Sequence, residues 1–196
     1  MEISSAPYLI DSVTFGLADS KKNLKKLEEL KQLPSKSVGS FKRYPLIEYI
    51  KSPTESFIVL ELDGEIAYLV HLKAEKLKQF PVPSVTQIAV WRSLLKGTVT
   101  SGLPKFVFEK ILLRRYQYIV SDTAQSDRGK DFWILRLGDA VNSGHEVGVF
   151  DVDEPADKII WVSTQREFED WMKVHQAHAW GKVFNHHEQI RFVIKR

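Results

Sequence analysis

The segment KGTVTSG, from Lys96 to Gly102, has the composition of a loop that binds phosphate. It supplies two glycines, three hydroxyl side chains and one lysine. An apolar stretch with strand character precedes it and a stretch with helix character follows, and the free N–H groups at a helix N-terminus attract anions. The spacing matches neither GxGxxG nor the nucleoside-triphosphate loop, because no GK[ST] follows a glycine after four residues. A phosphate-binding loop and a plain strand-to-helix connection both remain open at this point.

The residues around this loop are unevenly charged. Between Arg92 and Arg115 there are six basic residues and one acidic residue, Glu109, although the whole chain has a net charge of only +3. A local basic field of this kind suits a ligand that carries phosphate, whereas a solvated helix face would have the same composition. The small net charge does not indicate a general nucleic-acid binder.

Hydrophobic periodicity and turn residues predict the elements that position the loop. The clearest is a hairpin around Asp63 and Gly64, a dipeptide that fills a two-residue turn because both positions favour a positive φ. Ser163 or Thr164 with Glu167 resembles a capping box at the start of a helix, and Gly144 is a natural end for the helix before it. The predicted elements are a helix at 19–33, a short helix or turn around Leu46 to Ile50, strands at 56–62, 65–72 and 84–91, a helix at 103–115, a strand at 116–122, a helix at 127–141, strands at 145–152 and 157–163, a helix at 164–176 and a strand at 189–195.

These elements describe an α/β (α+β) fold: a single domain over residues 1–196, with a mixed, mostly antiparallel sheet flanked by helices. With 196 residues, 43% of them hydrophobic, the chain can bury a core without disulfides. The absence of cysteine excludes disulfide frameworks, thiolate metal sites and cysteine nucleophiles. No apolar run is long enough to span a bilayer and the first residues do not resemble a signal peptide, so we expect a cytoplasmic protein with no membrane partner.

The order of these elements resembles the GNAT superfamily of N-acetyltransferases. In that family an antiparallel hairpin precedes a strand, a loop that binds the pyrophosphate of acyl-coenzyme A, and a long helix; a further strand and helix complete the acyl-donor site. The corresponding segments here are the hairpin at 56–72, the strand at 85–91, the loop at 96–102, the helix at 103–115, the strand at 118–121 and the helix at 127–141. The resemblance covers a core of about residues 55–150, with N-terminal helices at 19–50 and a C-terminal helix and strand at 158–196 outside it.

A second similarity lies in residues 129–138, GKDFWILRLG. The family often has an alanine there, a tyrosine four residues later and a glycine that ends the turn; Trp133 stands in the place of the tyrosine. The run from Val120 to Trp133 is also similar to divergent acetyltransferase-like proteins encoded by bacteriophages. The loop departs from the family pattern Gln/Arg-x-x-Gly-x-Gly/Ala, and an indole N–H is a poor acid where a tyrosine would protonate the leaving thiolate.

The resemblance implies an enzyme that moves an acetyl group from acetyl-coenzyme A, as co-substrate, to an amine. The backbone of Ile88, Ala89 and Val90 would bind the pantetheine arm, and Trp133 would belong to the donor site. The pyrophosphate would lie on the loop residues Lys96, Gly97, Thr98, Thr100, Ser101 and Gly102. The amine acceptor stays open between a protein, a nucleic-acid base and a small molecule. A phage-encoded enzyme of this kind would act in the host cytoplasm.

The resemblance also implies a set of catalytic candidates. A carboxylate, Asp122 or Glu61, would accept the proton of the attacking amine, directly or through water. Tyr116, Tyr118, Ser121 or Asp122 would replace the missing tyrosine as proton donor. General acid–base help is typically worth about 10²–10⁴-fold, so losing it would slow acyl transfer without abolishing it.

Two other interpretations compete with this one. A non-catalytic GNAT-like interaction protein would keep the fold and bind a host protein or nucleic acid through its basic residues. Separately, His175, His178, His186, His187 and Glu188 include residue types that bind zinc. Adjacent histidines in a strand point to opposite faces, so we expect a solvated polar stretch and no metal.

Overall fold

The computed structural model describes residues 16–93, 95–122, 127–180 and 190–196, with the backbone alone at 127–128 and 175–180. The chain forms two compact units. Within the described ranges, the first unit contains residues 16–75 and 85–115, and the second contains residues 76–84 and 116–196. The sequence prediction of one domain over residues 1–196 stays a prediction.

The first unit is built on five strands, with helix α1 before them and a series of short helical segments after them. Its elements are α1 (Ser20–Lys31), β1 (Ser35–Phe41), β2 (Tyr44–Ser52), β3 (Glu55–Leu62), β4 (Glu65–Glu75), β5 (Ser84–Arg92), α2 (Gly97–Thr100), α3 (Leu103–Phe106), the π-helical segment Val107–Leu112 and α4 (Leu113–Arg115). The strands lie side by side in chain order, and β1 to β4 pair in the antiparallel sense. The last three helical segments follow without a break, and we refer to them as helix 103–115.

The β3–β4 hairpin predicted from Asp63 and Gly64 is confirmed. The φ angles of these two residues are +53° and +79°, so both adopt the left-handed conformation. A two-residue turn with positive φ at both positions matches the right-handed twist of the strands that it joins.

A β-bulge shifts the register of this hairpin. The strands pair in register up to Glu61 and Ile66 and then shift by one residue, which makes Ala67 the extra residue of β4. Each residue of β4 beyond the bulge therefore faces the side opposite to the one expected from the turn alone. The carbonyl of Ala67 accepts the backbone N–H of Ser93 at 2.9 Å, which joins the start of β4 to the residue after β5.

Helix α1 packs on one face of these strands. Asp19 caps it, because its carboxylate accepts the N–H of Lys22 at 3.1 Å. The buried Asn23 attaches the helix to β4: its side chain accepts the N–H of Ile66 at 2.7 Å and donates to the Ile66 carbonyl at 3.0 Å. The apolar cluster of this unit contains Leu17, Leu27, Leu30, Tyr49, Phe57, Val59, Ile66, Leu69 and Trp91.

The prediction for residues 35–52 was wrong. A loop and a short helix or turn around Leu46 to Ile50 were expected within an N-terminal helical region at 19–50, but these residues form β1 and β2. Side chains on both faces of β2 are buried, so the strand lacks the alternation that identifies a half-buried strand. The turn between β1 and β2 uses Lys42 with φ +56°, a conformation that lysine rarely adopts and that its type does not signal.

The second unit alternates short strands with two long helices. Its elements are β6 (Tyr118–Val120), α5 (Asp127–Asn142), β7 (Glu146–Asp151), the 3₁₀ helix Ala156–Lys158, β8 (Ile160–Val162), α6 (Gln165–Trp180) and β9 (Ile190–Lys195). The strands lie in the order β6, β9, β7, β8, and each neighbouring pair is antiparallel. The structure is therefore mixed α/β with mostly antiparallel strands. Among the described helices, none is long and apolar enough to cross a membrane.

The capping box predicted at the start of α6 is confirmed. The hydroxyl of Thr164 accepts the N–H of Glu167 at 3.3 Å, and the Glu167 carboxylate accepts the N–H groups of Thr164 and Ser163 at 3.2 and 3.3 Å. The side chain of Thr164 and then the backbone N–H of Ser163 lower the pKa of Glu167, because both stabilise its carboxylate. Gly144, with φ +81°, follows the end of α5 as predicted.

Gln79 fastens the segment that leads into β5 to the turn after β7. Its buried amide nitrogen donates to the carbonyls of Asp151, Val152 and Glu154 at 3.3, 2.8 and 2.7 Å. Next to it, the ring of Phe80 stacks on Tyr118 with 4.5 Å between centroids. The second unit thus holds residues 76–84 through both polar and aromatic contacts.

A buried ion pair fixes the end of helix 103–115 to β2. The side chain of Glu48 is only 4% exposed, and its Oε1 accepts from Arg115 at 2.8 Å and from the Ser56 hydroxyl at 2.9 Å. The ammonium group of Lys36 lies 3.3 Å from the other carboxylate oxygen, with the Lys36 side chain 56% exposed. Removing one partner of a buried pair leaves an uncompensated charge in a region of low dielectric.

We expect Arg115→Met to destabilise the protein by about 2–4 kcal/mol, because the Glu48 carboxylate would then be buried with one exposed cation as its counter-charge. Lys36→Met is the matched control and is expected to lower the free energy of unfolding by less than about 1 kcal/mol. Urea unfolding of both variants measures the two effects. Equal losses would contradict the assignment of Arg115 as the main partner.

Candidate functional site

Strand β5 changes from buried to exposed along its length. Residues 84–87 are buried, Ile88 and Ala89 are half-buried, and the apolar side chain of Val90 is 42% exposed. The exposed part is the stretch that the resemblance assigns to the pantetheine arm. Residues 88–90 are therefore partly accessible shortly before the loop at 96–102, although Trp91 after them is buried.

Lys96 is held by the β3–β4 turn. Its ammonium group lies 2.5 Å from Oδ2 of Asp63 and donates to the carbonyl of Leu62 at 3.3 Å. The Asp63 side chain is 85% exposed, so this carboxylate is accessible to solvent and to competing ions. The lysine predicted as a counter-charge for phosphate thus already has an anionic partner in the same unit.

A second lysine organises the same loop from the β1–β2 turn. The ammonium group of Lys42 donates to the carbonyls of Thr98 and Val99 at 3.2 and 3.1 Å. Inside the loop, the buried hydroxyl of Thr100 donates to the Lys96 carbonyl at 3.1 Å. Two cations and one hydroxyl therefore fix the loop, and Thr98 is left with its side chain exposed.

Two exposed residues connect α2 to helix 103–115. Gly102 has φ +78°, a left-handed conformation that favours glycine, and Ser101 beside it is exposed. After the four residues of α3, the helix becomes π-helical over Val107–Leu112. Segments of π-helix are rare, and those that occur often lie at functional sites. This helix therefore has an unusual geometry close to the candidate loop.

The predicted catalytic residues are divided between the two units. Glu61 lies in the first unit, on β3, with its carboxylate 2.8 Å from the ammonium group of Lys31. Tyr118, Ser121 and Asp122 lie together in the second unit, at β6 and just beyond its end. The structure thus places Glu61 with the loop residues in one unit and the other three candidates in the other.

Tyr118 and Ser121 both make contacts within the second unit. Tyr118 is 6% exposed and stacks on Phe80. The fully buried Ser121 exchanges hydrogen bonds with Phe192: its hydroxyl accepts the Phe192 N–H at 2.9 Å and its own N–H donates to the Phe192 carbonyl at 2.8 Å. In α5, Trp133 is 3% exposed and its ring meets that of Phe132 edge-on at 6.5 Å.

The histidine-rich stretch falls mostly beyond what the structure describes. His186, His187 and Glu188 lie outside the described residues, and His175 and His178 belong to α6 with the backbone alone described. Across the ranges that are described, no three histidine or carboxylate side chains are grouped so as to hold a metal ion.

Sequence reasoning missed a histidine–carboxylate pair on the first unit. Nε2 of His71 lies 2.7 Å from Oε1 of Glu55, and the imidazole stacks on Phe57 at 4.4 Å. Burial lowers the pKa of His71, against the opposing effect of Glu55. The hydrogen bond from Lys51, followed by that from His71, lowers the pKa of Glu55. The arrangement is an imidazole oriented by a carboxylate, a geometry that also orients the histidines of general acid–base catalysts.

This pair could not be predicted from the sequence of the turn alone. A hairpin drawn from Asp63 and Gly64 without a bulge places Val70 opposite Phe57, whereas the observed partner of Phe57 is His71. A one-residue shift moves every side chain to the other face. The single signal in the sequence was a histidine inside an otherwise apolar strand.

We expect acid to destabilise the fold through His71. Because the folded-state pKa is below the unfolded value of about 6.5, the unfolded chain binds the proton more readily, and stability falls as the pH drops below about 6.5. His71→Gln keeps a donor for Glu55 without an ionisable ring. Its melting temperature should therefore fall less than that of the wild type between about pH 7.5 and pH 5.5.

His145→Gln, a change at a half-buried histidine of the second unit, is the control and should behave as the wild type. Among the described residues, three charged groups surround His71. Lys51 of β2 and Glu55 of β3 form an ion pair with each other, and Lys26 of α1 has its ammonium group 5.3 Å from the centre of the Phe57 ring. A midpoint for His71 above about 6.5 in an NMR titration would overturn this account.

Comparisons with known proteins do not place the chain in a family. No protein-family model matches it, and no curated protein matches it. The loop at 96–102 and strand β5 are therefore the features from which a function is inferred.

Proposed function

We propose that this protein is an acyl-coenzyme A-dependent N-acyltransferase of the GNAT type, which transfers an acetyl group to an amine. The order of its elements supports the proposal: the β3–β4 hairpin precedes β5, the loop and helix 103–115, and β6 and α5 follow. The observation that carries it is the exposure of β5 at Ile88–Val90, directly before a loop that two lysines hold in place.

The proposed donor site lies along these residues. The backbone of Ile88, Ala89 and Val90 would bind the pantetheine arm, as the resemblance implies. The pyrophosphate would lie on the loop, where the first N–H groups of a helical turn have no partner within the helix. Lys96 would neutralise part of its charge, in competition with Asp63.

The reaction is a direct acyl transfer. The amine nitrogen attacks the thioester carbonyl, the C–S bond breaks, and the thiolate of coenzyme A leaves and takes up a proton. The amine loses its proton to a carboxylate, for which Asp122 and Glu61 are the candidates. Tyr118 and Ser121 remain candidates for the proton donor, although each also has a packing role in the second unit.

The ion pair between Lys96 and Asp63 predicts opposite effects of two substitutions on the affinity for acetyl-coenzyme A. Asp63→Asn removes the competing carboxylate and keeps a residue that tolerates positive φ, so acetyl-coenzyme A should bind about three- to tenfold tighter. Lys96→Met should weaken binding by about tenfold. Calorimetric titration with acetyl-coenzyme A and with coenzyme A at low salt measures both changes.

The control for this experiment is Lys73→Met, which removes a more exposed lysine of β4 whose partner is Glu75. Its affinity should equal that of the wild type. If the wild type shows no heat of binding at millimolar acetyl-coenzyme A, the proposed function is wrong.

A non-catalytic interaction protein is the second candidate. The structural roles of Tyr118 and Ser121 favour it, because a scaffold that no longer catalyses would keep these contacts. The partner would be a host protein or a nucleic acid if the chain is phage-encoded. Phosphate-backbone binding weakens steeply with salt, and a largely apolar protein interface does not, so a salt series distinguishes the two partners.

A further inference from the structure

An exposed arginine in the turn between β1 and β2 has no anionic partner. Nη2 of Arg43 donates to the Tyr44 hydroxyl at 3.2 Å, and its guanidinium carbon lies 5.3 Å from the centre of the Tyr44 ring. Within the part of the chain that the structure describes, no carboxylate pairs with this arginine. An arginine has five N–H donors, so most of those of Arg43 are available to a ligand.

The turn that carries Arg43 is fixed against the loop at 96–102 and the helix that follows it. Lys42, the residue before Arg43, bonds two backbone carbonyls of the loop. The buried ring of Phe41 meets the ring of Phe106, in α3, edge-on at 5.2 Å. These contacts hold the backbone of Arg43 beside the loop before any ligand arrives, which reduces the entropy lost on binding.

The two lysines that hold the loop are already engaged, in contrast to Arg43. Lys96 pairs with the carboxylate of Asp63, and the ammonium group of Lys42 bonds two carbonyls. An anion has to compete for either lysine, whereas it can bind Arg43 without breaking an ion pair. The planar guanidinium also meets a phosphate through two parallel N–H bonds, a fixed geometry that an ammonium group does not offer.

Coenzyme A has a second phosphate close to its pyrophosphate. The pyrophosphate and the 3′-phosphate are attached to the same ribose, so a pyrophosphate on the loop leaves the 3′-phosphate one sugar away. Arg43 is next in the chain to the lysine that bonds the loop, and it is exposed. Its position and its available donors therefore match those that the 3′-phosphate requires.

We propose that Arg43 binds the 3′-phosphate of coenzyme A, with its guanidinium group held in place by Tyr44. This inference rests on the proposed function and assigns the residue that distinguishes coenzyme A from a donor without that phosphate. Arg43 forms no bond to the reacting atoms. It is a specificity-determining residue of the donor site.

The test compares coenzyme A with 3′-dephospho-coenzyme A, which differs only in lacking this phosphate, by calorimetric titration of the full chain at low salt. Coenzyme A should bind the wild type about tenfold tighter, as expected for hydrogen bonds between charged groups. Arg43→Met should abolish this difference and leave the affinity for 3′-dephospho-coenzyme A unchanged. Because residue 43 is exposed, the variant should keep the wild-type melting temperature. Arg43→Lys, which keeps the charge and loses the planar fork, should retain part of the difference.

Arg166→Met is the matched control, because it removes the same charge from an exposed position of α6. Its affinities for both ligands should equal those of the wild type. An unchanged difference between the ligands in Arg43→Met, an equal loss of affinity for both, or equal affinities of the wild type for both would overturn the inference alone. Failure of the wild type to bind either ligand would overturn the proposed function, and the inference with it.

Discussion

The turn at Asp63 and Gly64 is the constraint on which the first unit depends. Positive φ at both residues sets where β3 ends and β4 begins, and the bulge at Ala67 then decides which side chains of β4 face α1. The same hairpin is bonded to the residue after β5, because the carbonyl of Ala67 accepts the N–H of Ser93. It is bonded to the loop through the ion pair of Asp63 with Lys96. One tight turn thus sets the strand register, the end of the proposed donor strand and the position of Lys96.

The loop after β5 is organised by lysines instead of closely spaced glycines. Gly97 and Gly102 are too far apart to let the backbone wrap a phosphate in the manner of the GNAT pattern, and Lys42 and Lys96 hold the loop carbonyls and the adjacent turn instead. A lysine that bonds backbone carbonyls fixes a loop through its own flexible side chain. The same ammonium groups supply the positive charge around the loop, so structure and electrostatics come from the same residues here.

Much of the fold could be predicted from the sequence, because its signals are local. The Asp63–Gly64 turn, the capping box at Thr164 and the glycine after α5 each act within a few residues, and each is confirmed. Strand β2 was missed because burial on both faces removes the alternation that marks a strand, and β1 was missed because its residues are mostly exposed and polar.

The candidate site was predicted less completely, because its contacts join residues far apart in the chain. The pairing of Lys96 with Asp63 and the position of His71 beside Phe57 depend on a turn and a bulge that composition does not reveal. The loop itself could be singled out from its residue types. Which of its groups already have partners could be learned only from the structure.

The π-helical segment affects how helix 103–115 tolerates insertions and deletions. The N–H of Leu113 bonds to the carbonyl of Phe108, five residues back, so this turn holds one more residue than an α-turn. In a regular α-helix, one extra residue would rotate everything after it by about 100°, and Arg115 would turn away from Glu48. The π-turn absorbs that extra residue locally. A shorter version of this protein that lacks Glu109 could therefore form a regular α-helix and still keep both ends of the helix in place.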